Sequence, residues 1–266
     1  MTDSPPTHEL RVHADERIAE IVLCRPEIHN RFDEQLHQEL TETVRSLPDH
    51  GDLRAVLLTS TGKVFSAGGD FEYMRLLNAD AAVRRRGVEL GRRLFFALTD
   101  LPLPLVVALQ GDAIGLGATL VLTADAIVAA RSAGIADPHV VVGLVAGDGG
   151  CVVWPQAVGM LRAKRHLLTG DRIGADEAYA MGLVTDLVGS VDEVAPTAFA
   201  LAARMASLPP IAVQGTKRAL NRALDQRAGE VLDLAFAYEM ESAASADLLE
   251  AIAAHRERRP GRYEGV

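Results

Sequence analysis

Three glycine-rich turns carry the residues whose type and spacing suit chemistry. They occupy residues 66–70 (SAGGD), 111–117 (GDAIGLG) and 146–150 (AGDGG), and each follows a short apolar run. A backbone that turns sharply after a strand can point two N–H groups at one spot. Two converging donors stabilise an oxyanion developing on a carbonyl, and removing one such donor costs on the order of 10²–10³ in rate. The middle turn is the strongest candidate. It leaves the apolar run LVVAL at 105–109 and enters the unbroken run 118–123, which reads as the start of a buried helix. The first N–H groups of a helix have no internal acceptor, and the dipole there favours negative charge. Glycines that merely allow close backbone packing leave the same local pattern, so a single turn names no reaction.

The elements that must hold these turns alternate along the chain. Residues 10–12 and 17–23 read as a hairpin that stops at Arg25-Pro26, because the residue before a proline is pushed out of the α region. Apolar residues at 32, 36, 40, 44 and 47 predict a helix over 32–47. Residues 53–59 read as a strand, and 64–66 as a short strand entering the first turn. Helices follow over 71–77 and 81–99, the second carrying Arg84, Arg85, Arg86, Arg92 and Arg93 on a solvated face. Residues 126–130 form a further apolar run, 161–168 and 175–181 read as helices, and 183–188 as a strand. Beyond residue 194 strand signal fades, and 196–208, 211–227, 231–244 and 246–257 read as successive helices. The pattern predicts a polar tail over 1–7, an α/β core over 8–194 and a helical region over 195–266.

Bulk properties narrow the function. A chain of 266 residues with 48% hydrophobic content can bury one large core. Its net charge of −9, from 36 acids against 27 Lys plus Arg, argues against nucleic acid or an anionic membrane surface as partner. No apolar run reaches the roughly 18 residues of a membrane span, and the N-terminus lacks a signal-peptide core. Cys24 and Cys151 make neither a disulfide framework nor a metal cluster, and no ligand-spaced histidine pair suggests a metal. A cytoplasmic location is expected.

The segments LCRPEIHN (23–30), FSAGGDF (65–71) and GDAIGLGA (111–118) together resemble the crotonase (enoyl-CoA hydratase/isomerase) superfamily. Further matches run from Asp137-Pro138-His139 to Gly150, and from LTG (168–170) through Glu177-Ala178 to GLV (182–184), so the resemblance covers nearly the whole chain. It implies an α/β spiral of ββα units with a C-terminal helical region that builds trimers, often paired into hexamers. It also implies a coenzyme A thioester as substrate and no tightly bound cofactor. By the match, the thioester oxygen would accept from the N–H groups of Ala67 and Leu116. Gly68, Gly69, Asp70, Arg25, Ile28 and Gly115 would line the path of the CoA moiety.

The chain departs from the family where hydratases place two glutamates: those positions are Thr119 and His139 here. His139 is therefore the expected proton-transfer group, since an imidazole titrates near neutral pH. Asp148, inside the third turn, is the expected partner, because a nearby carboxylate orients an imidazole and stabilises its charged form. Thr119 reads as a packing residue whose hydroxyl bonds helix backbone. Glu239, on a predicted C-terminal helix, is a further candidate acid that the helical layer would bring to the site. The main expectation is hydration/dehydration or double-bond isomerisation of an acyl-CoA. Two alternatives stand beside it. One is a crotonase-type hydrolase that cleaves carbon–carbon bonds in β-diketones without CoA, which Asp137-Pro138-His139, Gly147-Asp148-Gly149 and Val152-Val153-Trp154-Pro155 resemble. The other is a non-catalytic CoA-binding paralogue.

Overall fold

The computed structural model describes residues 6–266. Its main sheet contains strands β1 (His8–His13), β2 (Ile18–Leu23), β3 (Ala55–Ser60), β4 (Leu105–Leu109), β6 (Ala126–Ala130) and β9 (Asp186–Val188), in the order β1-β2-β3-β4-β6-β9. A small second sheet holds β5 (Ala113–Ile114), β7 (Gly134–Ala136) and β8 (Ile173–Gly174). Only the β1–β2 pair of the main sheet is antiparallel; the remaining neighbours run parallel. Strands β4 and β6 are buried at every residue, which is why LVVAL and AIVAA read as continuous apolar runs rather than alternating ones.

The helices are α1 (Glu34–Ser46), α2 (Phe71–Ala79), α3 (Ala81–Thr99), α4 (Leu116–Leu122), α5 (Gly150–Val158), α6 (Met160–Leu167), α7 (Ala175–Met181), α8 (Val194–Ala206), α9 (Pro210–Ala243) and α10 (Ala246–Glu257). The chain repeats one unit: a main-sheet strand, a short crossing to the second layer, then a helix. After β3 the crossing is the single bridge Ser66–Ala113 before α2; after β4 it is β5 before α4; after β6 it is β7 before the segment leading to α5. This is the spiral of ββα units that the resemblance implies. The repeat sets the glycine turns side by side. A Cβ on Gly68, whose φ is +77°, would fall 2.6 Å from the Ile114 carbonyl oxygen, and one on Gly117 would fall 2.8 Å from Ser66 Cβ. The first two turns therefore touch backbone to backbone, which only glycine permits.

Three sequence expectations shift. Thr7, placed in the tail, is buried and its hydroxyl donates to Glu39 Oε2 at 2.6 Å; residues 1–5 lie outside the described residues. Helix α8, placed in the C-terminal region, packs on the main sheet through Ala198 and Ala202, both fully buried, because alanines let a helix approach closely. Helix α9 is one 34-residue helix where two were expected. Gly229 in its middle costs about 1 kcal/mol, too little to break a helix packed along one side.

Candidate active site

Among the described residues, the first turn leaves one amide open. Ala67 N–H donates to the His29 carbonyl at 3.0 Å, Gly68 N–H to Ser66 Oγ at 3.2 Å, and Asp70 N–H to the Phe32 carbonyl at 2.9 Å. Gly69 N–H has no acceptor among the described residues. This corrects the assignment of Ala67 as an oxyanion donor. The 29–32 segment runs beside the turn, bridged at Phe32–Gly69, and takes the flanking amides. In the second turn Gly115 N–H donates to the Ala136 carbonyl, whereas Leu116 N–H, at the start of α4, has no acceptor among the described residues. The open amides, Gly69 and Leu116, thus belong to two turns in direct contact.

His139 lies against this junction. It opens a short 3-10 turn (His139–Val142), and a Cβ on Gly115 would sit 3.4 Å from His139 Cε1. Its Nδ1 is hydrogen-bonded to Asp137 Oδ1, and its Nε2 lies 3.3 Å from Asp148 Oδ2. All three side chains are buried. Burial opposes the imidazolium, but the charges of Asp137 and Asp148 outweigh it and hold the His139 pKa well above its ordinary value. Asp148 loses solvation too, yet the facing imidazolium, the Gly150 amide and Thr119 hold its carboxyl below the usual range. Thr119 Oγ1 donates to Asp148 Oδ1 at 3.2 Å, so the hydroxyl serves the site rather than the helix backbone expected of it.

Glu239, from α9, completes the group. It packs on the third turn, where a Cβ on Gly147 would fall 2.7 Å from Glu239 Oε2, and that oxygen is buried without a hydrogen-bond partner among the described residues. Burial and then the charge of Asp148 push its pKa up to about 8. At neutral pH the site therefore sets an ionised carboxylate, Asp148, near a carboxylic acid, Glu239. Two acids with pKa values driven apart can divide base and acid roles between them.

Two cavities meet here. An inner one of about 70 Å³ is lined by Gly69, Leu116, His139, Asp148 and Glu239 among others. An outer one of about 520 Å³ is lined by Ile28, Arg31, Ala67, Gly68 and Gly115, with His255 from α10. Gly69, Met74 and His139 belong to both walls and form the throat between them.

The structure thus brings together Gly69, Leu116, His139, Asp148, Thr119 and Glu239, and places Ile28, Gly68 and Gly115 on the outer pocket. Two expected binding residues are occupied elsewhere. Arg25 is buried and donates to Asp33 and to the Arg31 carbonyl. Asp70 caps α2, accepting from the Glu72 and Tyr73 amides, and pairs with Arg31 at 3.2 Å. Sequence reasoning missed Asp137, although an acid two residues before the key histidine is a usable signal. It also missed the open Gly69 amide and the cavity-lining His37 and Tyr73, for which no local signal exists.

The sequence profile of the enoyl-CoA hydratase/isomerase family matches residues 13–266. The chain is 34% identical over 263 residues to a probable enoyl-CoA hydratase of Rhodobacter capsulatus, covering 97% of this chain and 98% of that protein. It is 30% identical to the 1,2-epoxyphenylacetyl-CoA isomerase of Escherichia coli, covering 95% and 96%. A crystal structure of an enoyl-CoA hydratase/isomerase from Mycobacterium paratuberculosis superposes with a TM-score of 0.89 at 36% identity, covering 95% of this chain and 99% of that one.

Proposed function

The chain belongs to the enoyl-CoA hydratase/isomerase family, and from that premise we propose that it hydrates or isomerises an acyl-CoA with a rebuilt set of proton-transfer groups. The thioester oxygen accepts from the Gly69 and Leu116 N–H groups, which favours the enolate-like state over the neutral ground state. Asp148, its carboxylate held in place by the His139 imidazolium, takes the proton, from the substrate carbon in isomerisation or from water in hydration. Asp137 anchors the far side of the imidazole and fixes its orientation. Glu239, protonated at neutral pH, returns a proton at the second carbon. The outer pocket takes the CoA arm, with Arg31, paired to Asp70, on its wall. Self-association through the helical C-terminal region is part of the same reading, supported by exposed Leu220, Leu234 and Tyr238 on α9. So is a cytoplasmic location, which the two free thiols suit.

One observation carries this reading: His139 and Asp148, in contact with each other and with His139 anchored behind by Asp137, lie on the cavity wall that also holds both open amides and Glu239. Steady-state assays on a panel of enoyl-CoA esters test it. His139→Ala is expected to abolish turnover while leaving CoA affinity within a few-fold; full activity in that variant removes His139 from the mechanism. The 3.3 Å His139–Asp148 contact also fits the β-diketone hydrolase reading. Calorimetry separates the two, since that chemistry needs no CoA. Failure to bind any CoA ester, with cleavage of a cyclic diketone, would favour it.

A further inference from the structure

The inner cavity carries two further polar side chains that proton transfer does not use. Its walls are mostly apolar, with Phe32, Leu77, Val88 and Phe236 prominent, yet His37 of α1 and Tyr73 of α2 face it as well. Tyr73 is 8% exposed and His37 7%, and their ring centroids lie 6.2 Å apart without a hydrogen bond between them. The Tyr73 hydroxyl is buried with no partner among the described residues. Glycine at position 87 of α3 leaves room beside it: a Cβ there would lie 3.1 Å from the hydroxyl. His37 Nδ1 is hydrogen-bonded to the Asp33 carbonyl at 2.7 Å, so Nδ1 carries the proton and Nε2 is left as a bare acceptor. Burial lowers the His37 pKa, which keeps the ring neutral and that acceptor available.

The buried Tyr73 donor without an acceptor is costly, and His37 Nε2 is an acceptor without a donor among the described residues on the same cavity wall. A hydroxyl group satisfies both through one atom, since it accepts from one neighbour and donates to the other. A carboxylate fits less well. Arg84 Nη1, the cation at this wall, already donates to the Leu77 and Asn78 carbonyls, and Asp148 stands in the same cavity. A volume of about 70 Å³ holds on the order of five water-sized groups, which limits the acyl chain to a few carbons.

We propose that the substrate is a short-chain acyl-CoA bearing a hydroxyl near the far end of its acyl group, held between the Tyr73 hydroxyl and His37 Nε2. This inference rests on the acyl-CoA reading above. Tyr73 and His37 set specificity and take no part in moving protons at the thioester end. Sites built to bond a substrate hydroxyl reject the analogue that lacks it far more strongly than apolar pockets reject a missing methylene.

Isothermal calorimetry with two saturated esters, 4-hydroxybutyryl-CoA and butyryl-CoA, tests the inference without requiring turnover. The hydroxylated ester is expected to bind the wild-type protein at least tenfold more tightly, and Tyr73→Phe to cut that ratio below threefold. Equal affinities in the wild type overturn this inference and leave the acyl-CoA reading standing. A ratio that survives Tyr73→Phe also overturns it, because the hydroxyl is then held elsewhere. Binding of neither ester overturns the acyl-CoA reading and this inference with it.

Discussion

Lys217 and Asp148 are both charged groups carried into the interior, and their surroundings treat them in opposite ways. Lys217, on α9, is buried, and its Nζ donates to Asp125 Oδ2 at 2.6 Å and to the Leu103 carbonyl at 2.9 Å. Asp125 in turn accepts from the Leu105 amide that begins β4, at 2.7 Å. Every group has its partner, and the cluster pins the long helix to the sheet. Around Asp148 the accounting stays open. Asp137 Oδ2 and Glu239 Oε2 are buried without partners among the described residues, His139 holds its proton between two carboxylates, and His139, Asp148 and Glu239 border a cavity. Spare hydrogen-bonding capacity beside a cavity distinguishes a site built for chemistry from an internal staple, since evolution has no structural reason to leave buried polar atoms unmet.

The sharpest way to break this contrast is Asp148→Asn. The amide keeps the shape but cannot take a proton, so kcat is expected to fall by about 10³-fold or more, in the range seen when a general base or its close partner is lost. Activity within tenfold of the wild type would reduce the open cluster to another staple. A second measurement uses pH. Glu239 works as an acid only while protonated, and its pKa stands at about 8. The rate is therefore expected to fall roughly tenfold per pH unit above about 8. Glu239→Gln should lower the plateau and flatten that limb; an unchanged limb in the variant assigns it to another group. The smallest effect belongs to the staple. Lys217→Met leaves Asp125 able to reach solvent, so the loss is about 2 kcal/mol, or roughly 4–8 °C in Tm by calorimetry. Its kcat is expected to stay within twofold. A larger loss of activity than of stability would mean that the two clusters communicate.

Much of this molecule is legible residue by residue. The fully apolar runs at β4 and β6 identify interior parallel strands, and the spacing of 36, 40 and 44 marks α1, which begins at Glu34 rather than at 32. The match of several motifs, rather than any one, carries the family, and the exchange of two glutamates for Thr119 and His139 points to the altered chemistry. The pairing of His139 with Asp148 follows from type and order, and the structure places them in contact. The choice of Ala67 over Gly69 shows where such reading stops. Both sit in one tight turn, and nothing in SAGGD says which amide the 29–32 segment will occupy. Arg25 and Asp70 fail for the same reason: each finds an intramolecular partner before any ligand.

Sequence alone therefore determined the periodic elements, the three turns, the family and the identity of the titratable groups, because these depend on neighbours within a few residues or on motif order. Tertiary structure decided which amides stay open, that Glu239 arrives from a distant helix with its proton retained, and that His37 and Tyr73 face a common cavity. Each of those depends on what packs alongside from remote parts of the chain. Hydrogen-bond competition and desolvation are set by that packing, and only the folded molecule supplies it.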